Sequence, residues 1–288
     1  MIVYLDGEYL PREQARVSVE DRGFLFGDGV YEVIRARDGG LFTAEEHLER
    51  IPEGMRALEI DGGGDASPQR LRAIGEELLE RNDRTEGDAT IYVQVTRGAA
   101  PRTHAYPGAD CRPTVYLSTA RFAHPPGLHD SGAAAITLPD LRWSRCNLKT
   151  VNLLPNVIAK QRAVEAGAFE AMLIRDGVIT EGASTNVFGV LNGVLRTYPA
   201  CHYILGGITR GVILEMAREM GIPIEEQGIR VEEVPHLEEL FATGTTTDVM
   251  PLVQVDGHKV AGGAPGEITR RLQAGLSARL DAAAGVTA

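Results

Sequence analysis

Apolar and polar positions alternate through residues 2 to 10 around Asp6-Gly7, a dipeptide suited to a tight turn, so the chain opens on a β-hairpin. Val30 to Arg37 reads as a strand closed by Asp38-Gly39-Gly40. Thr43-Ala44-Glu45-Glu46 has capping-box spacing and predicts a helix through His47, Leu48 and Arg50, with a kink or restart at Pro52. A flexible Gly62-Gly63-Gly64 loop follows. Ser67-Pro68 then starts a second helix, with Leu71, Ile74, Leu78 and Leu79 on one face. Ile91 to Thr96 and Thr114 to Ser118 read as strands, joined by a long loop from Arg97 to Pro107.

Pro125-Pro126-Gly127 punctuates a stretch that reads as a linker. The expected organisation is an N-terminal α/β domain over residues 1–119, a linker over 120–127 and a second domain over 128–288. In the second domain, a strand over Ala134 to Leu138 leads to Cys146-Asn147-Leu148-Lys149-Thr150. A helix over Asn156 to Ala166 ends at Gly167, and hairpins turn at Asp176-Gly177 and Asn192-Gly193. Gly206-Gly207-Ile208-Thr209-Arg210 opens a helix to Gly221 whose apolar face is set by Val212, Met216 and Met220. Leu240 to Thr243 is a strand, Val253-Gln254-Val255 enters a last hairpin, and a terminal helix starts at Glu267. The fold class is α/β, without internal repeats.

Composition narrows the partners more than the fold. With 288 residues, 43% hydrophobic and 24% charged, the chain can build two modest domains. A net charge of -11 with dispersed basic residues disfavours nucleic acid and anionic membranes as partners. Three cysteines (Cys111, Cys146, Cys201) without CxxC spacing speak against a disulfide framework or a zinc site and fit a reducing compartment. Met1 to Gly7 has neither a basic nor an apolar leader segment, and no apolar run reaches membrane-spanning length, so the expected location is the cytoplasm.

Lysine is scarce: Lys149, Lys160 and Lys259 are the only three among 29 basic residues. Lys259 sits in a hairpin-turn pattern, and Lys160 lies in an amphipathic helix pattern that would leave it solvated. Lys149 is followed by Val151, Leu153 and Leu154. There it either snorkels to water or sits against apolar surface as an amine nucleophile suited to Schiff-base chemistry. The Gly206-Gly207-Ile208-Thr209 helix start can cap itself or cradle a phosphate, though no Walker A lysine follows. Gly244-Thr245-Thr246 offers amides and hydroxyls after a strand, or is simply a threonine-rich turn. Glu181 is a solvated hairpin carboxylate or, if buried, one paired with a cation or a protonated heterocycle. Arg102 and His104 lie on a surface loop and could converge on one carboxylate. Tyr31 and Glu32 open a strand, so one faces inward and the other outward. Arg50 is a solvated helix arginine or a further anion contact.

Taken together, these residues resemble a family. Glu181-x-Ala183-x-x-Asn186-Val187-Phe188, Leu195-x-Thr197 and Leu205-x-Gly207-Ile208-x-Arg210 are similar to the motif of class IV aminotransferases, the fold-type IV pyridoxal-phosphate (PLP) enzymes. Within that family, three further stretches resemble the D-amino-acid subgroup. They are Asp21-Arg22-Gly23 through Val33, Gln94 to Gly98 with Pro101-Arg102-Thr103-His104, and Arg145-Cys146-x-x-Lys149-x-x-Asn152-Leu153-Leu154. The resemblance runs from about Tyr4 to the last helix. It implies a two-domain α/β fold with PLP in the cleft between the domains, the C-terminal one binding the cofactor. Lys149 would carry PLP as a Schiff base and shuttle a proton between the substrate Cα and the cofactor's C4′. Glu181 would keep the pyridine nitrogen protonated. Arg50, Ile208, Thr209, Thr245 and Thr246 would hold the phosphate, and Tyr31, Arg102 and His104 the substrate's α-carboxylate. Family members are commonly homodimers.

The implied activity is D-amino-acid transamination, from a donor such as D-alanine to a 2-keto acid such as 2-oxoglutarate, by a ping-pong mechanism. Competing expectations are a branched-chain L-amino-acid or (R)-amine transaminase, an aminodeoxychorismate-lyase-like enzyme, and a non-catalytic member of the fold. Arg102-x-His104 argues against the branched-chain reading, and Tyr31-Glu32 with that loop against the lyase. Retention of Lys149 and Glu181 argues against loss of catalysis. Two departures stand out. Gly244 replaces an expected hydroxyl residue, so that Gly244-Thr245 resembles the branched-chain form, and Pro52 follows Arg50 in the helix.

Overall fold

In the computed structural model, which describes residues 1–61 and 64–285, the chain divides into two units. The first comprises Met1–Ala123, Leu148–Leu153 and Leu280–Ala288; the second comprises His124–Asn147 and Leu154–Arg279. Gly62 and Gly63 of the expected glycine loop lie outside the described residues, and Gly64 begins a short 3-10 turn to Ala66.

The first unit starts with the predicted hairpin, β1 (Ile2–Leu5) and β2 (Glu8–Pro11), turning at Asp6 and Gly7 with positive φ. A one-turn helix α1 (Arg22–Phe26) follows, capped by the Asp21 carboxylate, which accepts from the Gly23 and Phe24 amides. Next come β3 (Gly29–Arg37), β4 (Gly40–Phe42), α2 (Ala44–Ala57), α3 (Pro68–Arg81), β5 (Asp88–Thr96) and β6 (Thr114–Arg121). Among the described residues the strands form one antiparallel sheet in the order β2-β1-β6-β5-β3-β4. β6 runs to Arg121, so the stretch read as linker begins as strand.

Helices α2 and α3 supply Leu48, Ile51, Leu71, Ile74 and Leu78 to a core shared with Ile34 and Ile91 of the sheet, all essentially inaccessible to water. α3 forms as its sequence predicts. Ser67 accepts from the Arg70 amide, Pro68 occupies the first turn, and Leu71, Ile74, Leu78 and Leu79 are buried. α2 departs from expectation twice. Thr43 sits in the left-handed region (φ 48) and makes no side-chain cap, so the capping-box pattern is not realised. The helix also continues through Pro52 without the restart that sequence allowed. Proline removes one backbone hydrogen bond, and the buried Leu48, Ile51 and Met55 on either side hold the helical path.

The second unit contains α4 (Leu128–Ser131), β7 (Ala133–Pro139), α5 (Leu154–Glu165), β8 (Glu170–Arg175), β9 (Val178–Gly182), β10 (Asn186–Leu191), β11 (Val194–Thr197), α6 (Ile208–Glu219), β12 (Ile224–Glu225), β13 (Ile229–Arg230), β14 (Glu239–Gly244), β15 (Asp248–Val255), β16 (His258–Lys259) and α7 (Glu267–Ala283) up to Arg279. Among the described residues its sheet has the order β12-β11-β10-β14-β15-β7-β8-β9-β13, with β16 paired to β15. β7 lies parallel to both β15 and β8, and most other pairs are antiparallel. Both predicted hairpin turns occur, with Asp176-Gly177 and Asn192-Gly193 at positive φ. Lys160 is not the solvated residue expected. It is half-buried, its ammonium donates to the Phe169 carbonyl, and it lies 3.8 Å from Glu170 Oε1. No helix among the described residues is long and apolar enough to cross a membrane, and all three cysteines are free.

Candidate active site

Lys149 belongs to the first unit, although it follows β7 in the chain. Its segment docks on the start of β3 by backbone bonds. The Tyr31 amide donates to the Lys149 carbonyl (3.1 Å), the Val151 amide donates to the Gly29 carbonyl (3.0 Å), and Val30 pairs with Thr150. Gly27, at φ 69, packs against Asn152, where a Cβ would come within 3.2 Å of its backbone. The docking leaves Lys149 half-buried, with Nζ 4.3 Å from the centre of the Tyr31 ring. Tyr31 in turn lies 5.9 Å from Tyr92 on the same face of the sheet. Burial pushes the Tyr92 phenol up to about 12, so it stays protonated and uncharged at neutral pH.

Alternation along β3 sends Glu32 to the opposite face, against α2. It is 1% exposed and carries two partners one turn apart on that helix. His47 Nδ1 lies 2.7 Å from Oε2, and Arg50 Nε donates to Oε1 at 2.6 Å. Burial alone would raise the Glu32 carboxyl, but the His47 and Arg50 contacts outweigh it and hold it down at about 2. Burial lowers the His47 imidazole, and the nearby positive charges of Arg50 and Lys149 act in the same direction. Arg50 is therefore anchored by a carboxylate rather than solvated.

In the second unit, Glu181 lies in β9 and is buried. Arg142 donates to its Oε1, while the Asn186 side-chain amide (3.0 Å) and the Leu205 backbone amide (3.1 Å) donate to Oε2. Asp140 grips the other side of Arg142 at 2.9 Å. Even with these donors, burial pushes the Glu181 carboxyl up to about 7. A buried acid in that state is stabilised by any further cation brought to it.

Asn186 also donates to the Leu205 carbonyl, and its Oδ1 fills the space where a Cβ on Gly207 would stand, 2.1 Å away. Gly207 is the N-cap of α6 and makes no side-chain cap, so Ile208 and Thr209 start a helix whose first amides no side chain satisfies from that position. β10 places Asn186 opposite Thr243 of β14, and the following turn carries Gly244, Thr245 and Thr246. The Thr243 hydroxyl is buried without a hydrogen-bond partner. These groups fit a phosphorylated, cationic heterocycle: open helix amides and threonine hydroxyls for the phosphate, and a buried acid for the ring cation.

Arg102 and His104 lie together on the exposed loop of the first unit, both against Phe26. The Arg102 guanidinium is 5.2 Å from that ring's centre and the His104 ring 5.8 Å. The structure thus groups Lys149 with Tyr31, Arg50 with Glu32 and His47, Arg102 with His104, and Glu181 with the start of α6. Sequence reading did not single out Arg142, Asp140, His47 or Asn186. Asn186 had a signal, its fixed place in the Glu181 motif; Arg142 had none, because its partner is 39 residues away. Among the described residues, no group of three or more His, Cys, Asp or Glu is placed to hold a metal ion.

The family profile described as amino-transferase class IV matches residues 29–255. The chain is 43% identical to a D-alanine aminotransferase of Bacillus licheniformis over 276 residues, 96% of each chain. Among solved structures it resembles the branched-chain amino acid aminotransferase of Escherichia coli (26% identity, TM-score 0.85, covering 94% of this chain and 92% of the other). It also resembles the branched-chain aminotransferase of the archaeon Thermoproteus uzoniensis with norvaline (26% identity, TM-score 0.86, covering 99% and 95%).

Proposed function

The chain belongs to the class IV aminotransferases, which are pyridoxal-phosphate enzymes, and we propose that it moves an amino group from a D-amino acid such as D-alanine to a 2-keto acid such as 2-oxoglutarate. The observation that carries this reading is the likeness to a D-alanine aminotransferase along nearly the whole chain. Bound pyridoxal phosphate supplies the electron sink that weakens the substrate's Cα–H bond.

The chain's residues do the rest. The Lys149 amine would hold the cofactor through its aldehyde carbon, and Nζ would take and return the substrate's Cα proton. Glu181, fixed by Arg142 and Asn186, holds the ring nitrogen in its protonated form. Ile208 and Thr209 at the α6 start, Thr245 and Thr246 in the β14–β15 turn, and Arg50 hold the phosphate. Tyr31, Arg102 and His104 bind the substrate carboxylate. Most of the proposed cofactor contacts lie in the later part of the chain, within residues 128–288. One site serves donor and acceptor in turn, so kinetics are ping-pong.

A cytoplasmic homodimer completes the proposal. Helix α5 exposes Leu154, Val157 and Ile158 at i, i+3 and i+4 spacing, an apolar stripe that a second copy would cover. A second reading, branched-chain L-amino-acid transamination, draws on Gly244 where the D-type motif has a hydroxyl residue.

The test pairs D-alanine with 2-oxoglutarate and, separately, L-leucine with 2-oxoglutarate, for the wild type and Lys149→Ala. We expect turnover with D-alanine, little with L-leucine, and none in the variant. Faster reaction with L-leucine moves the enzyme to the branched-chain group, and an active Lys149→Ala removes Lys149 from its role.

A further inference from the structure

The loop from Arg97 to Pro107 is largely exposed, yet buried groups outside its tip fix its course. Arg22, 3% exposed, donates from Nη1 to the Thr103 carbonyl at 2.8 Å and to the Ala105 carbonyl at 3.4 Å, the two residues flanking His104. Its Nε donates to Asp28 Oδ2 at 2.9 Å. The same carboxylate takes Arg97 in a fork, Nε to Oδ2 at 2.7 Å and Nη2 to Oδ1 at 3.1 Å. Arg97 also donates to the Leu58 and Glu59 carbonyls at the end of α2, and its guanidinium lies 3.7 Å from the centre of the Tyr106 ring. The start of the loop and the carbonyls on either side of His104 are therefore both tied, through Arg97 and Arg22, to one shared carboxylate.

Phe26 stands between this brace and the two side chains at the tip. Arg22 lies 4.7 Å from its ring centre, Arg102 5.2 Å and the His104 ring 5.8 Å. A ring flanked by two guanidiniums and an imidazole limits where each can turn, through cation–π attraction and contact. Gly27 at φ 69 ends α1 directly after Phe26 and returns the chain to Asp28, so ring and carboxylate are set by the same turn.

We propose that Phe26, backed by Arg22 and Asp28, positions Arg102 and His104 for an incoming substrate carboxylate. This rests on the carboxylate-binding role proposed above for that loop. Phe26 contacts Arg102 and His104 rather than Lys149 or Glu181, so its effect is expected on how well the carboxylate is gripped and not on the bond-making steps or cofactor retention.

The experiment measures kcat and KM for D-alanine and 2-oxoglutarate, and the affinity of cofactor-free protein for PLP by fluorescence titration. The proteins are the wild type, Phe26→Leu, Phe26→Tyr and Arg22→Gln. Phe26→Leu is expected to raise both KM values about tenfold, the scale of effect a small misplacement of a binding group produces, with kcat held within about twofold. PLP affinity stays at the wild-type value, and Phe26→Tyr restores KM. Arg22→Gln shows the same pattern; should that buried substitution prevent folding, the Phe26 pair decides. Unchanged KM in Phe26→Leu, or a parallel loss of PLP affinity, overturns the proposal. Absence of D-alanine turnover in the wild type instead refutes the parent reading, and this inference falls with it.

Discussion

Replacing Glu181 by glutamine tests the electrostatics at the base of the site without touching the shape of the side chain. Burial moves this carboxyl from its ordinary 4.5 to about 7 in the cofactor-free fold. Because the folded value is raised, the proton is held more tightly by the folded chain than by the unfolded one. Below about pH 4.5 both states are protonated and there is no penalty. Between 4.5 and 7 the unfolded chain has lost its proton and the folded chain keeps it, so stability falls as pH rises. Above 7 the full penalty is present. A gap of that size at about 1.4 kcal/mol per unit gives a penalty of about 3 kcal/mol. The assay is urea unfolding of PLP-free wild type and Glu181→Gln at pH 4.5 and pH 8, taking the difference between the proteins at each pH so that other carboxylates cancel. The wild type should lose about 3 kcal/mol relative to the variant between the two pH values. A difference that does not change with pH refutes the reasoning. Saturation with PLP should shrink the gap, because the proposed ring cation supplies the counter-charge that burial leaves wanting.

Glu32→Gln leaves Arg50 beside a neutral, buried amide, and should destabilise the protein by about 3–5 kcal/mol in thermal or urea melts. The wild-type carboxyl lies at about 2, below its ordinary 4.5, so its stabilisation is complete above about pH 4.5 and is lost as pH falls toward 2, a loss the variant should not show. Gly207→Ala drives a Cβ onto Asn186 Oδ1 and should displace the amide that donates to Glu181. PLP affinity, measured by titrating cofactor-free protein, should fall about tenfold, on the scale of one buried hydrogen bond left unmade. Gly211→Ala, further along α6, where nothing but its own chain neighbours and helix backbone lies within 4 Å of the added Cβ, is the matched control and should bind PLP as the wild type does.

What could be read without coordinates was local. The α3 helix, the Asp6-Gly7, Asp176-Gly177 and Asn192-Gly193 turns, and the glycine-led start of α6 all depend on residues within about one helical turn of each other, and the pattern names them. Lys149 and Glu181 could be singled out as candidates from sequence, Lys149 by its rarity and both by their place in a spaced motif. Local pattern failed where backbone geometry had a second constraint. Thr43 has the right neighbours for a capping box, but the turn out of β4 puts it at φ 48. Lys160 has a helix-surface spacing, yet β8 brings the Phe169 carbonyl and Glu170 within its reach.

Sequence by itself thus determined the element types, the scarcity of lysine and the residue chemistry available for a Schiff base, a phosphate and a carboxylate. Only the tertiary structure decided which groups meet. Glu181 finds Arg142 across 39 residues, Glu32 finds His47 and Arg50 on another element, and Arg22 reaches 81 residues to the Thr103 carbonyl beside His104. The physical reason is range. Propensity and periodicity act over a few residues, whereas ion-pair partners and the burial that shifts a carboxyl are set by sheet register and packing between elements distant in the chain.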